Sequence, residues 1–217
     1  MKDIKDILKI SNTNYSLNSL EKISNVELTE NNFFSKDLFK VVIHKIKIKE
    51  WQQNKSRILS LVPFDSKKES NTDELITYTD YFKEGTDVYE KELLKLLKPY
   101  LNDFRYQDEN SKFKIVKYSH VWCQKYLNAD WHPPHDHGAM GLSCIFYAHY
   151  NSEIHKPTQY TCPFPDVTGT KMGTSPLVEE GELVLFPSFV THTAPPSGVN
   201  KERIIFSFNV LLDYDKD

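Results

Sequence analysis

The sequence has little with which to build a disulfide or thiolate framework. Its three cysteines, Cys123, Cys144 and Cys162, are an odd and widely spaced set, and no CxxC pair occurs. A disulfide scaffold and a cysteine-ligated zinc site are therefore both poor readings. Long apolar runs are also missing, and the opening residues MKDIKDILKIS are too polar for a signal peptide. No membrane partner and a reducing, cytoplasmic setting are the expectation. Nor is there an excess of one charge: 27 Lys and Arg stand against 30 Asp and Glu, a net charge of −3. Such a chain has no global field to draw nucleic acid. The basic stretch Lys40–Lys49 alternates with apolar residues and reads as the wet face of a strand or helix. No repeat at a solenoid period is found.

What the chain does have is bulk. Of its 217 residues, 39% are hydrophobic and 13% aromatic, enough to fill one core. We expect a single domain over residues 1–217, with residues 1–110 as helical or mixed support and residues 111–217 as the core. Two helices are expected in the first part. One runs over Ile48–Leu61 and stops before Pro63. The other runs over Asp87–Phe104, where Val88, Leu93, Leu94, Leu96, Leu97 and Leu101 group on one side and Pro99 introduces a bend or an early end. From about Lys112 the pattern turns to strands: Lys114–Leu127, Leu142–Tyr150, Glu182–Phe186 and Arg203–Leu212, separated by proline and glycine turns. Many short strands with helices mostly upstream predict a mainly β protein with N-terminal helices, a jelly roll braced on one side. The turn-rich segment His155–Ser175 reads equally as a lid over a site and as a passive surface loop.

Chemistry concentrates in the β part. Residues i and i+2 of a strand share a face, so His135 and His137 can offer two imidazoles to one ion while Asp136 points away. His192 follows an apolar strand and a proline turn, and brings a third imidazole if that strand lies beside the first. Three ligands on one side leave positions open for a bidentate acid and dioxygen, the logic of a facial triad. Imidazole suits Fe(II), Zn and Ni alike. Asp136 replaces His137 if a bulge turns it inward, and His132 is a further candidate across Pro133-Pro134. Arg203, eleven positions after His192, is read in two ways. It is a surface ion pair, or, at the head of the apolar run Ile204-Ile205-Phe206, a guanidinium that grips a carboxylate through two hydrogen bonds. His149 and His155 do not fit the ligand spacing and read as structural or exposed.

The ordered pieces Trp122–Tyr126, His135-x-His137, Ser143–Tyr147, Glu180–Ser188, His192 and Arg203–Asn209 resemble the bacterial and phage 2-oxoglutarate/Fe(II) oxygenases of the double-stranded β-helix fold. The resemblance covers roughly residues 118–212. It implies a jelly-roll barrel that binds Fe(II) through His135, His137 and His192. It further implies 2-oxoglutarate and dioxygen as co-substrates, with oxoacid decarboxylation to succinate coupled to hydroxylation of a C–H bond. Arg203, Tyr126, Gln124 and Asn209 would line the oxoacid pocket. The prime substrate, a protein side chain or a small molecule, is not readable. The chain departs from the pattern in three places. His137 stands where the superfamily mostly has a carboxylate, Cys144 where it usually has Gly, and Ile205 where a Ser commonly contacts the co-substrate. Two other classes stay open: a three-His iron dioxygenase that uses no oxoacid, and a non-catalytic jelly roll with a structural Zn or Ni for which His132 is the natural fourth ligand. Oxidative repair of nucleic acid is disfavoured by the charge balance.

Overall fold

A computed structural model describes residues 27–28, 34–35, 41–64, 75–82, 88–107 and 112–215. The chain divides into two compact units, Met1–Val41 and Val42–Asp217. In the first, β1 (Glu27–Leu28) pairs antiparallel with β2 (Phe34–Ser35). Everything that follows belongs to the second.

The second unit begins with β3 (His44–Lys47) and α1 (Trp51–Leu59), then β4 (Tyr78–Thr79) and α2 (Val88–Asp103). Ten strands come after: β5 (Tyr106–Gln107), β6 (Lys112–Tyr118), β7 (Trp122–Tyr126), β8 (His132–His135), β9 (Leu142–His149), β10 (Gln159–Thr161), β11 (Gly173–Thr174), β12 (Glu182–Pro187), β13 (His192–Ala194) and β14 (Arg203–Tyr214). They form a larger sheet, β3-β12-β9-β14-β6-β5 with β7 and β4 continuing beside β14, and a smaller one, β11-β10-β13-β8. The mainly β jelly roll expected from the strand pattern is therefore present.

The larger sheet is covered on both faces, which explains the unbroken burial of β9 from Leu142 to Ala148. Successive side chains go to opposite layers. Leu142, Cys144, Phe146 and Ala148 pack with Leu93, Leu97 and Leu101 of α2 and Trp51 and Ile58 of α1. Ile145 and Tyr147 join Phe186, Tyr160 and Ile205 in a second cluster between the two sheets.

The two helices form where hydrophobic periodicity places them, with shorter ends. In α2 the buried side chains are Tyr89, Glu90, Leu93, Leu97 and Leu101; Val88, assigned to the apolar stripe, is 62% exposed, because the stripe starts one position later. Asp87 lies outside the described residues. Pro99 sits inside the helix on its exposed side, where the carbonyl it leaves unpaired, that of Lys95, reaches water. Trp51 anchors α1: its Nε1–H donates to Ala148 O at 3.0 Å, and its ring meets Phe146 edge-on at 4.7 Å. Gly181 opens β12 at φ +80 with Trp51 so close that a Cβ would lie 3.1 Å from Cδ1, so both backbone conformation and contact require glycine there.

The segment expected as one strand, Lys114–Leu127, is two, β6 and β7. Both pair with β14 along the same edge, β7 with Arg203–Ser207 and β6 with Val210–Tyr214. Ser119 bridges the break: its N–H donates to Asn209 O and its hydroxyl accepts the Asn209 N–H, each at 2.8 Å. Of the basic stretch Lys40–Lys49, Lys40 lies outside the described residues. Lys45 and Lys47 alternate outward on β3 and pair with Glu182 and Glu179, the solvated face expected.

Candidate active site

Buried polar tethers set the strands that carry the candidate residues. Asp80, 3% exposed, accepts Cys123 N–H at 2.6 Å and the Tyr89 hydroxyl at 2.7 Å, binding β7 to α2. Asp130 accepts the backbone N–H groups of Thr77 at 2.7 Å and Leu127 at 2.9 Å, fixing the turn from β7 into β8.

His135 is the last residue of β8, the outer strand of the smaller sheet, where prolines are tolerated because an edge strand has unpaired N–H positions. His137 lies just beyond the strand; its N–H donates to Ser188 O at 2.9 Å. The strand before His192, β12, does not lie beside β8, so the condition set for a third imidazole is met by another route. β12 belongs to the larger sheet, and the turn after Pro187 carries the chain across to the smaller one. There β13 pairs with β8 and sets His192 directly opposite His135. One ring nitrogen from each of His135, His137 and His192 falls within 4.8 Å of the others.

Two of the three rings are oriented by the same local device. His135 Nδ1–H donates to Pro133 O at 2.8 Å, and His192 Nδ1–H donates to Val190 O at 3.0 Å. In each the partner is the carbonyl two residues back, which leaves the Nε2 lone pair for a metal. His137 is held differently. Its ring stacks on Trp122 at 5.8 Å, and its Nδ1 faces the Asn209 amide at 3.4 Å. Burial, reinforced by neighbouring imidazoles, pushes His192 down to about 3 and His132 and His137 down to about 4; burial also lowers His135. The cluster is neutral at neutral pH, the form that ligates a metal.

Asp136 is exposed, and its Oδ1 accepts the Gly138 N–H at 3.0 Å. It is outside the trio whose donor atoms converge. His132 meets His135 edge-on at 4.0 Å but is likewise outside that trio. Among the described residues three donors converge, an open site; a closed structural site would need four.

Arg203 is 2% exposed. Its guanidinium lies 4.4 Å over the Tyr126 ring, and Nη1 donates to Lys156 O at 2.6 Å. Among the described residues, the buried Nε and Nη2 have no hydrogen-bond partner. Burial is the main influence on this cation and works against its charge, while the surrounding Tyr126, Tyr147 and Tyr150 support it. The surface ion-pair reading therefore fails. A buried guanidinium with two free N–H groups on one edge is shaped for a carboxylate.

A cavity of about 320 Å³ opens beside the histidines. Gln124, Tyr126 and Asn209 are on its wall together with His135, His137 and His192. Ile205, Ser207 and Asn209 alternate inward from β14, as their spacing from Arg203 implies, and Ser207 donates to Gln124 Oε1 at 3.4 Å. Ile205 contributes an apolar wall. Cys144 belongs to the helix-facing cluster and also borders the cavity. Thr158, Tyr81 and Phe82 also border the cavity, and no motif or spacing in the sequence marks any of the three. Thr158 sits within His155–Ser175: its hydroxyl accepts from Tyr147 Oη at 3.1 Å, so the start of that segment is barrel wall, and β10 is a strand of the smaller sheet. His155 is buried, with Nδ1 accepting Asn151 N–H at 3.0 Å. His149 contacts Lys55 and Glu180. Both are structural.

Residues 120–209 match the family model described as "Putative 2OG-Fe(II) oxygenase". No curated protein matches the chain. Among solved structures, HygX from Streptomyces hygroscopicus, with nickel, 2-oxoglutarate and hygromycin B bound, is similar at a TM-score of 0.50 and 11% identity, over 79% of this chain and 83% of that one. A prolyl-4-hydroxylase from Pseudomonas putida is similar at a TM-score of 0.48 and 12% identity, over 78% and 91%. The viral collagen prolyl hydroxylase of Paramecium bursaria Chlorella virus-1 gives 0.46 and 14%, over 78% and 94%. The likeness to HygX is one of fold. Residues 120–209 thus match the 2OG-Fe(II) oxygenases, and the fold and the converging histidines agree with that match.

Proposed function

We propose that His135, His137 and His192 hold the Fe(II), that Arg203 receives the far carboxylate of 2-oxoglutarate, and that the aromatic mouth of the cavity receives the prime substrate. That substrate is a protein side chain or a small molecule, hydroxylated at a C–H bond. One observation carries the reading: Arg203 is a buried cation with Nε and Nη2 unpartnered. Leaving such donors unpaired costs free energy that a bound carboxylate returns. The three-His dioxygenase that uses no oxoacid has no task for this side chain. A structural metal site is disfavoured by three converging donors in place of four.

Bound Fe(II) and 2-oxoglutarate supply oxidative decarboxylation of the oxoacid to succinate, coupled to oxygen insertion into the substrate. The chain's own residues do the rest. His135 and His192 present preset lone pairs. Tyr126, whose hydroxyl burial keeps protonated, places its ring under the guanidinium, and Gln124 and Ser207 close the polar wall beside it. Trp122 is 4% exposed against His137, Tyr81 packs edge-on against it at 5.0 Å, and Phe82 continues outward at 60% exposure. This aromatic shelf is the place for an apolar ring or chain of the prime substrate.

The test is anaerobic addition of Fe(II) and 2-oxoglutarate to the purified protein. A visible charge-transfer band in the wild type that is absent in Arg203→Ala at the same oxoacid concentration is the expected result. Bound iron with no band would sink the oxoacid reading.

A further inference from the structure

We infer that Asn209 is a positioning residue for His137, and that the orientation of its amide decides which nitrogen of that ring is free to bind the metal. This rests on the proposal that His137 is a ligand.

The three rings are held asymmetrically. His135 and His192 are locked by backbone carbonyls, which can only accept, so their protons must be on Nδ1. His137 Nδ1 faces an amide, which offers either a donor or an acceptor. In the structure the Asn209 Nδ2–H donates to His137 Nδ1 at 3.4 Å, and Ser143 Oγ–H donates to Asn209 Oδ1 at 2.9 Å. An Nδ1 that accepts leaves the proton on Nε2, so the nitrogen needed for the metal is blocked. Rotating the amide end over end reverses the chain. Then His137 Nδ1–H donates to Asn209 Oδ1, the amide N–H donates to Ser143 Oγ, and the Ser143 hydroxyl donates to Ser188 Oγ, 3.2 Å away. All partners in that second arrangement are already in place, and Ser188 also holds the His137 backbone N–H. The Asn209 backbone is pinned on both sides by Ser119, so the amide can turn while its Cα stays fixed. Asn209 lies on the cavity wall, and its amide contacts both His137 and Ser143.

The test uses ¹⁵N-histidine-labelled protein with Zn(II) as a diamagnetic probe, read by long-range proton–nitrogen correlation and by calorimetric titration. In the wild type His137 is expected as the Nε2–H tautomer without Zn(II) and the Nδ1–H tautomer with it, while His135 and His192 show Nδ1–H throughout. Asn209→Leu should weaken Zn(II) binding about 10- to 100-fold, the range found when a residue supporting a metal ligand is removed, and leave 2-oxoglutarate affinity of the Zn(II)-loaded protein within twofold. Asn209→Asp, whose carboxylate only accepts, should restore Zn(II) affinity. The inference is overturned if His137 keeps one tautomer in both states, or if Asn209→Leu binds Zn(II) normally and loses the oxoacid instead. The wild-type spectra need no variant, so they decide even if Asn209→Leu fails to fold. His137→Ala separates the two claims. If it retains full Zn(II) affinity, His137 is not a ligand and the underlying reading fails; if it loses affinity while Asn209→Leu does not, only the inference fails.

Discussion

Arg203 lies directly opposite Tyr126 across the β14–β7 pair, with its guanidinium 4.4 Å above the phenol ring. The strand register alone thus places a cation on an aromatic face inside the barrel, with two of its N–H groups unpaired. Removing one partner of a buried, hydrogen-bonded charge pair costs about 2–5 kcal/mol. Arg203→Ala should therefore weaken 2-oxoglutarate binding by a factor of about thirty or more, while Zn(II) affinity stays unchanged; calorimetric titration of both ligands checks this. Arg203→Met should act in the opposite direction on the ligand-free fold. It removes two orphaned donors, each costing about 1–3 kcal/mol, and loses the bond to Lys156 O. A net gain of about 1 kcal/mol in urea unfolding is expected.

The four clustered histidines separate into ligands and a bystander. Metal titration of His137→Ala should show loss of affinity on the order of 100-fold or more, since a facial site reduced to two ligands is left. His132→Ala should change affinity less than threefold, because its ring packs on His135 without joining the converging trio. Loss of folding in His132→Ala alone would favour a four-ligand structural site.

Acid should destabilise the metal-free protein. Burial depresses His192 to about 3 and His132 and His137 to about 4, and lowers His135, from a value near 6.5 in the unfolded chain. Below pH 6.5 the unfolded state binds protons that the folded state refuses, so stability is full above 6.5 and falls as pH drops toward 4. Urea midpoints in EDTA at steps between pH 7.5 and 4.5 should decline through that window. His132→Gln should flatten the decline. A flat profile in the parent protein would show that the cluster is solvated and takes up protons over the same pH range as the unfolded chain.

The helix layer carries stability without touching the chemistry. Leu97 is fully buried between α2 and the larger sheet. Leu97→Ala should cost about 2–5 kcal/mol, seen as a lower thermal midpoint, with Zn(II) and 2-oxoglutarate affinities unchanged.

Much of this protein could be read along the chain. The leucine spacing of Leu93, Leu97 and Leu101 gave α2, and the dense branched and aromatic runs gave β9, β12 and β14, because burial on one side or both leaves a period in the residues themselves. His135 and His137 stood out as a pair because they are two residues apart; His192 and Arg203 lie on other strands, β13 and β14, and only strand pairing brings His192 to His135. Tyr81, Phe82 and Thr158 were not legible. They come from connections whose residues carry no period, so nothing local marks them as facing a cavity. The break between β6 and β7 was hidden because both halves are rich in strand-forming residues and pair with the same edge of β14.

The sequence by itself determined the alternation that puts Arg203, Ile205, Ser207 and Asn209 on one side of β14 and the two histidines i and i+2 at one end of β8. Those are properties of backbone geometry, which every strand shares. Only the tertiary structure decided that His192 reaches His135 by crossing from the larger sheet to the smaller, that Arg203 is buried with Nε and Nη2 unpartnered among the described residues, and that His137 faces an amide where its two neighbours face carbonyls. These facts depend on which strands pair and on what fills the space between sheets, and long-range pairing leaves no mark on the residues near each site.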